Sequence, residues 1–156
     1  MMEMPKPTEA HKKLTTMAGK WAGQERLHPS PWDAKGGMAT SRVDNRVALD
    51  GFALLHDYEQ ERNGAVTFRG HGVLTFDARE QCYLMHWWDS MGFGANVYKG
   101  KFEGTTLSMA RREAQGHSRV VWEFPDGGNY KFRMDFSPDG SQWHPFMEGA
   151  YARAER

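Results

Sequence analysis

The chain has 156 residues and a formal net charge of zero, with twenty basic and twenty acidic side chains. This length predicts a single domain, and the balanced charge provides no field of one sign to attract nucleic acid or an anionic membrane. No apolar run approaches the roughly twenty residues of a membrane-spanning helix, and the N-terminus lacks the order of a signal peptide. We therefore expect a cytoplasmic protein with neither a nucleic-acid nor a membrane partner.

Aromatic residues make up 13% of the chain, and six of them are tryptophan. Such a supply of large flat side chains is typical of a β-rich core or of a lined cavity. The only cysteine is Cys82, so an intrachain disulfide and a cysteine-based metal motif are both excluded.

The N-terminal segment predicts a short helix over residues 8–18. Thr8 is a suitable N-cap, and Gly19 is a typical C-terminal stop. We assign residues 1–19 to a tail and this helix, and residues 20–156 to one β-barrel domain.

The rest of the chain alternates polar and apolar residues between tight turns and has no helical crossover. This pattern indicates an all-β protein whose strands close into a ten-stranded antiparallel up-and-down barrel, because closure removes the sheet edges. The predicted strands are Lys20–His28, Gly37–Leu49, Phe52–Arg62, Ala65–Phe76, Gln81–Asp89, Asn96–Phe102, Thr105–Arg112, His117–Phe124, Asn129–Phe136 and Gln142–Arg153.

Two turns predict that three histidines align. Asn63-Gly64 is the strongest short hairpin signal, and a two-residue loop there places His56 opposite His71. An even-length loop over residues 77–80 places His71 opposite His86. Directly opposed residues share a face of the sheet, so the sequence predicts one row of imidazoles.

The preceding turn, Asp50-Gly51, places Asn45 opposite His56 and Arg42 opposite Glu59. Opposite charges across a strand pair favour the solvent-facing side. The histidine row is therefore predicted to point into the barrel. The opposite face would then carry an apolar patch of Leu74, Met85 and Trp87, which predicts either a homodimer or a cover provided by the N-terminal helix.

An inner face of this kind predicts a pocket for a small apolar or amphipathic ligand, because a few polar groups converge among aromatic walls. Arg69 is a candidate to hold a carboxylate with Tyr58 as a neighbouring donor, unless it points outward or pairs with an acid. Trp32, in a proline-rich loop, either caps the cavity mouth or packs on the surface. The candidate ligand-binding residues are Asn45, His56, Tyr58, Arg69, His71, His86, Trp88 and Trp122.

A second hypothesis is a metal- or haem-dependent enzyme that uses the inward histidines. His56, His71 and His86 could converge on one ion, since three imidazoles with an open position hold catalytic zinc. The competing interpretation is a hydrogen-bonded histidine row that holds water or passes protons. The sequence identifies neither a cofactor nor a reaction.

Seven short motifs resemble a bacterial family known as domain of unknown function 1579, and the resemblance covers about residues 20–153. It implies a lipocalin-like (calycin) barrel, a fold whose relatives bind fatty acids or, in nitrobindins, haem, and it implies no established activity. The motifs are Pro29-Ser-Pro-Trp-Asp33, Leu49-Asp-Gly51, Asp57-Tyr-Glu-Gln60, Phe68-Arg-Gly-His-Gly72, Met85-His-Trp87, Asp89-Ser-Met91 and Phe146-Met-Glu-Gly149.

Overall fold

The structure is a computed structural model, and it describes residues 2–114 and 116–154. A short helix precedes ten antiparallel strands, which pair in sequence order and close where β1 meets β10. The predicted ten-stranded up-and-down barrel with a short N-terminal helix is confirmed. The elements are α1 (Glu9–Thr15), β1 (Gly19–Leu27), β2 (Gly37–Ala48), β3 (Ala53–Arg62), β4 (Ala65–Asp77), β5 (Cys82–Asp89), β6 (Asn96–Glu103), β7 (Thr106–Glu113), β8 (Gly116–Asp126), β9 (Asn129–Ser137) and β10 (His144–Arg153).

Helix α1 closes one end of the barrel, which we call the lower end. Thr8 caps the helix, and its backbone N–H donates to Nδ1 of His11 at 3.0 Å. Leu14 and Met17 are buried against the barrel core, and the Met17 carbonyl accepts the indole N–H of Trp21. The helix is therefore a plug. Within residues 2–114 and 116–154, no helix has both the length and the apolar character to cross a membrane.

The lower half of the interior is a packed apolar core. Leu54, Leu74 and Leu107 have no exposed surface, and each such side chain contributes about 1.5–3 kcal/mol when fully buried. Tyr130 and Tyr151 stack with their ring centroids 4.6 Å apart. This core supplies the hydrophobic burial that holds the barrel closed.

Strands β2 and β3 pair in the predicted register. Asn45 lies opposite His56, and Arg42 lies opposite Glu59. The turn between the strands has positive φ at Leu49 and at Asp50, as a tight reversal requires. The predicted inward orientation of Asn45 and His56 is confirmed, since both side chains are buried.

A β-bulge changes the register of β3 with β4. The hairpin starts as predicted, with Arg62 opposite Ala65, but beyond Glu61 the pairing shifts by one residue. His71 consequently lies opposite Asp57 instead of His56. Because strand side chains alternate with period two, this single extra residue turns every later side chain of β4 to the other face. The predicted facing of His71 and Arg69 is therefore wrong.

Strand β5 follows the reversal of β4. His86 pairs with Val73, and Trp88 pairs with His71, so His86 and Trp88 also lie on the outer wall. Leu74 and Met85, which were expected on the outer wall, are buried inside. The predicted apolar patch on the outer wall is therefore wrong, because Leu74, Met85 and Trp87 all face inward. The homodimer itself stays a prediction.

Two glycines explain why the bulge is favourable. The bulge directs Gly70 and Gly72 inward, and the ring of Trp87 lies over both of them. A Cβ at Gly70 would stand 2.1 Å from the Trp87 ring, whereas the unshifted register would direct the bulky His71 and Arg69 side chains inward instead. The paired glycines therefore make room for the indole.

Candidate functional site

The predicted site residues divide between the two faces of the wall. Four of them, Asn45, His56, Tyr58 and Trp122, are buried inside the barrel. The other four lie on the outer wall, namely Arg69, His71, His86 and Trp88. The predicted row of three histidines is not formed, because only His56 points inward. No group of three metal-ligating side chains lies together in the described part of the chain.

His56 is the one histidine of the predicted row inside the barrel. Asn45 donates its amide to the Met17 carbonyl at 2.8 Å, so its Oδ1 faces His56 Nδ1 at 2.6 Å. An oxygen there requires that His56 donate from Nδ1, which leaves the lone pair on Nε2. Burial lowers the pKa of His56 to about 4, so the ring is neutral at pH 7. The rings of Trp87 and Trp122 lie about 6 Å from it.

Glu25 is a polar group that the sequence analysis missed. Its side chain has no exposed surface, and Oε1 accepts hydrogen bonds from the hydroxyls of Tyr58 at 2.5 Å and Tyr151 at 2.6 Å. Burial and the negative charge of Glu25 raise the pKa of both tyrosines, which keeps them protonated as donors. Oε2 of Glu25 has no hydrogen-bond partner among the described residues.

Tyr58 extends this cluster toward the upper end of the barrel. Its hydroxyl accepts a hydrogen bond from Nε2 of Gln60 at 2.9 Å and lies 3.2 Å from Oγ of Ser41. Both residues are buried. The hydroxyl of Tyr58 is therefore held by several partners, and the ring is fixed in one orientation.

A second polar group lies on β7, across the barrel from β1. Arg111 pairs with Ser118 of β8, whose Oγ accepts from the Tyr98 hydroxyl inside the barrel. The guanidinium donates from Nη1 to Oδ1 of Asn96 at 2.9 Å and also approaches Oε2 of Glu113 at 3.0 Å. Its Nε is buried and has no partner among the described residues.

The upper half of the interior is accessible to solvent. Phe68, Trp87, Phe132 and Met134 belong to inward-facing positions, yet they are only partly buried. In the lower half Leu54, Leu74 and Leu107 are fully buried, whereas Phe76 and Phe102 beside α1 are partly buried. We call the interior space bordered by these four side chains the upper chamber.

The mouth of the barrel carries an anchored aromatic loop. Trp32 is 68% exposed, and its ring lies edge-on to Phe136 at 6.4 Å and to Phe146 at 6.0 Å. Arg62 holds this loop through an ion pair with Asp33 at 2.6 Å. The hydrogen bond from Arg62 lowers the pKa of Asp33. Trp32 therefore stands at the rim of the upper end.

An open groove of about 660 Å³ crosses the outer wall and contains the predicted residues Arg69, His71 and Trp88. Asp57 accepts a hydrogen bond from Nδ1 of His71 at 2.6 Å and pairs with Arg46 at 2.8 Å. This arrangement orients the imidazole. Charged side chains, among them Glu59 and Arg69, line the groove together with the ring of Trp88.

A simple extension of the strand alternation would have found both missed residues. Glu25 lies two residues beyond Gly23 and four beyond the buried Trp21, and Arg111 follows Leu107 and Met109 on the same face. Both polar side chains therefore continue rows that begin in the core.

Several solved structures share this fold. Rv2717c from M. tuberculosis matches with a TM-score of 0.74 and 13% identity, over 95% of this chain and 99% of that chain. The S-type phycobiliprotein lyase CPES from Guillardia theta matches with a TM-score of 0.63 and 10% identity, over 96% of this chain and 99% of that chain. At these identities the similarity establishes the barrel fold alone.

The comparison with curated proteins gave no match. Residues 6–153 match the model of the family described as "Protein of unknown function (DUF1579)". The match covers nearly the whole chain and agrees with the motifs noted in the sequence. The chain therefore belongs to the DUF1579 family.

Proposed function

We propose that the protein binds one small amphipathic molecule in the upper chamber. The observation that carries this proposal is the partial exposure of Phe68, Trp87, Phe132 and Met134, which point into the barrel. Apolar side chains that face an accessible interior gain free energy when an apolar molecule displaces water from them.

Polar groups around the chamber support an amphipathic ligand over a purely apolar one. Glu25 Oε2 and Arg111 Nε are buried without a partner among the described residues, and an unsatisfied buried polar atom is unfavourable. The neutral ring of His56 offers an acceptor at Nε2. A ligand with its own polar groups would satisfy such atoms and be oriented by them.

The similarity to a phycobiliprotein lyase is compatible with this proposal, because that protein shows the same barrel in a functional role. The metal- or haem-dependent enzyme with a histidine row is not favoured by the geometry. His71 and His86 lie on the outer wall, so the row on which that hypothesis depended is not formed.

The neutral fluorescent probe N-phenyl-1-naphthylamine tests the chamber, since its emission rises in an apolar environment. We expect the wild-type protein to enhance the emission and the Met134→Trp variant to abolish the enhancement by filling the chamber. Lys131→Trp is the matched control, because Lys131 lies on the same strand and is exposed. Trp88→Ala, in the outer groove, should also bind the probe normally.

Two outcomes would refute chamber binding. One is a folded wild-type protein that leaves the emission unchanged. The other is loss of probe binding in Trp88→Ala together with normal binding in Met134→Trp, which would place the probe on the outer wall.

A further inference from the structure

We infer that the ligand of the upper chamber carries a carboxylate, and that Arg111 holds it through the Nε–Nη2 edge of its guanidinium. This inference rests on the proposed function and names the chemical class of its ligand. It follows from the position of Arg111, from the atoms it already uses and from the surface beside it.

Arg111 points into the barrel near its upper end. It pairs with the buried Ser118, and it continues the inward row of Leu107 and Met109. Its side chain is 24% exposed, which is low for an arginine so close to the end of a strand. Arg111 is therefore an interior cation that solvent reaches only in part.

The guanidinium is held in place by one of its two terminal nitrogens. Nη1 donates to Oδ1 of Asn96 at 2.9 Å and lies 3.0 Å from Oε2 of Glu113. The guanidinium lies over the ring of Tyr98, with Cζ 5.8 Å from its centroid. These contacts fix the plane of the group without occupying its other edge.

The free edge has the geometry that binds carboxylates. Nε is buried and has no partner, and Nη2 makes no hydrogen bond to any residue of 2–114 or 116–154. The N–H groups of Nε and Nη2 point in parallel along one side of a guanidinium, and they match the two oxygens of a carboxylate. Asn96 and Glu113 both contact Nη1, so neither of them uses this edge.

The surface beside Arg111 suits the apolar body of such a ligand. Arg111 pairs with Ser118 on β8, and Ser118 pairs with Phe136 on β9. The neighbouring inward row consists of Met109, Val120 and Met134 on the same three strands. Phe136 and Met134 are both partly exposed. A carboxylate on Arg111 would therefore place its attached apolar group against the wall of the upper chamber.

Arg69 was a candidate for this role unless it pointed outward or paired with an acid, and the structure shows that it points outward. The Arg69 side chain is 67% exposed on the outer wall and lies 3.7 Å from the carboxylate of Glu59. It therefore faces solvent and lies outside the upper chamber. Arg111 combines partial burial with an unused edge, which is the combination that binds an anion strongly.

A matched pair of probes tests the inference on the wild-type protein. The probes are 2-naphthylacetic acid and 2-(2-naphthyl)ethanol, which share a ring system and differ in the carboxylate. By isothermal titration calorimetry at pH 7, we expect the acid to bind about tenfold more tightly than the alcohol, since a charge-assisted bidentate contact is among the stronger hydrogen-bonded pairs.

Variants then assign the preference to the proposed edge. Arg111→Gln should remove the preference and leave the affinity for the alcohol unchanged. Arg111→Lys keeps the positive charge but lacks the paired donors, so it should restore only part of the preference. Arg112→Gln is the matched control, because the neighbouring Arg112 is exposed, and it should bind both probes as the wild type does.

The outcomes separate this inference from the proposed function. Equal binding of the acid and the alcohol, or failure of the acid to bind a protein that binds N-phenyl-1-naphthylamine, overturns the carboxylate assignment and leaves chamber binding intact. Loss of N-phenyl-1-naphthylamine binding itself would overturn the proposed function. The probe comparison uses the wild-type chain, so it gives a result even if Arg111→Gln does not fold.

Discussion

Acidification should destabilise this barrel through His56. The unfolded ring has a pKa of about 6.5, whereas burial lowers the pKa of His56 to about 4 in the folded protein. Below pH 6.5 the unfolded chain therefore binds a proton that the native chain does not bind. The free energy of unfolding is therefore not reduced by His56 above pH 6.5, and it decreases as the pH falls from 6.5 toward 4.

The size of the effect follows from the difference between the two pKa values. A difference of about 2.5 units at 1.36 kcal/mol per unit amounts to a loss of about 3 kcal/mol between pH 6.5 and pH 4. This loss is a large share of the stability of an ordinary domain, which is about 5–15 kcal/mol. It should be visible without any ligand.

Urea denaturation at intervals of half a pH unit, followed by circular dichroism, measures this dependence. The comparison is with His56→Asn, whose amide can still donate to Asn45 but does not titrate. We expect the wild-type curve to fall more steeply than the variant curve between pH 6.5 and pH 4. His144→Asn, an exposed histidine, is the control and should follow the wild type. Parallel curves for the wild type and His56→Asn would refute the reasoning.

Two further substitutions test the interior. Gly70→Ala should destabilise the protein by about 1–3 kcal/mol in urea denaturation, because its Cβ would stand 2.1 Å from the Trp87 ring; Gly128→Ala has no such clash and should cost far less. Equal costs for the two would contradict the bulge geometry. Tyr151→Phe should cost about 1–3 kcal/mol, because it removes a donor from the buried Glu25. An unchanged midpoint in Tyr151→Phe would show that this hydrogen bond contributes no net stability.

The fold was predictable because its turns contain residue types that are strongly favoured in tight turns. Asp50 and Asn63 both adopt positive φ, and β2 and β3, which the turn at Asp50 joins, pair in the predicted register. The ten strands and the closing helix followed from alternation and from capping. Local chemistry was sufficient for these features, since each depends on residues close together in the chain.

The prediction of a histidine row was wrong because a β-bulge depends on packing between strands. Residues 65–68 alternate acceptably in either phase, so nothing local marks the extra residue. The available signal was the pair Gly70 and Gly72 in a strand, which indicates that another group approaches the backbone closely. That group is Trp87, and recognising it required the pairing of β4 with β5 that the bulge itself determines.

The division of the interior into two halves explains how one barrel supports both stability and binding. The lower half is closed by α1 and contains most of the fully buried apolar side chains, which supply the burial that stabilises the fold. In the upper half, Glu25 lies on β1 and Arg111 lies on β7. Three strands separate β1 from β7 on one side of the barrel, and five separate them on the other. The Glu25 carboxylate accepts hydrogen bonds from two tyrosines, whereas the Arg111 guanidinium pairs with Glu113. Among the described residues each has a buried atom without a hydrogen-bond partner, and such an atom is unfavourable. Selection for stability alone would replace such groups with apolar ones, so their presence beside an accessible chamber favours a role in binding.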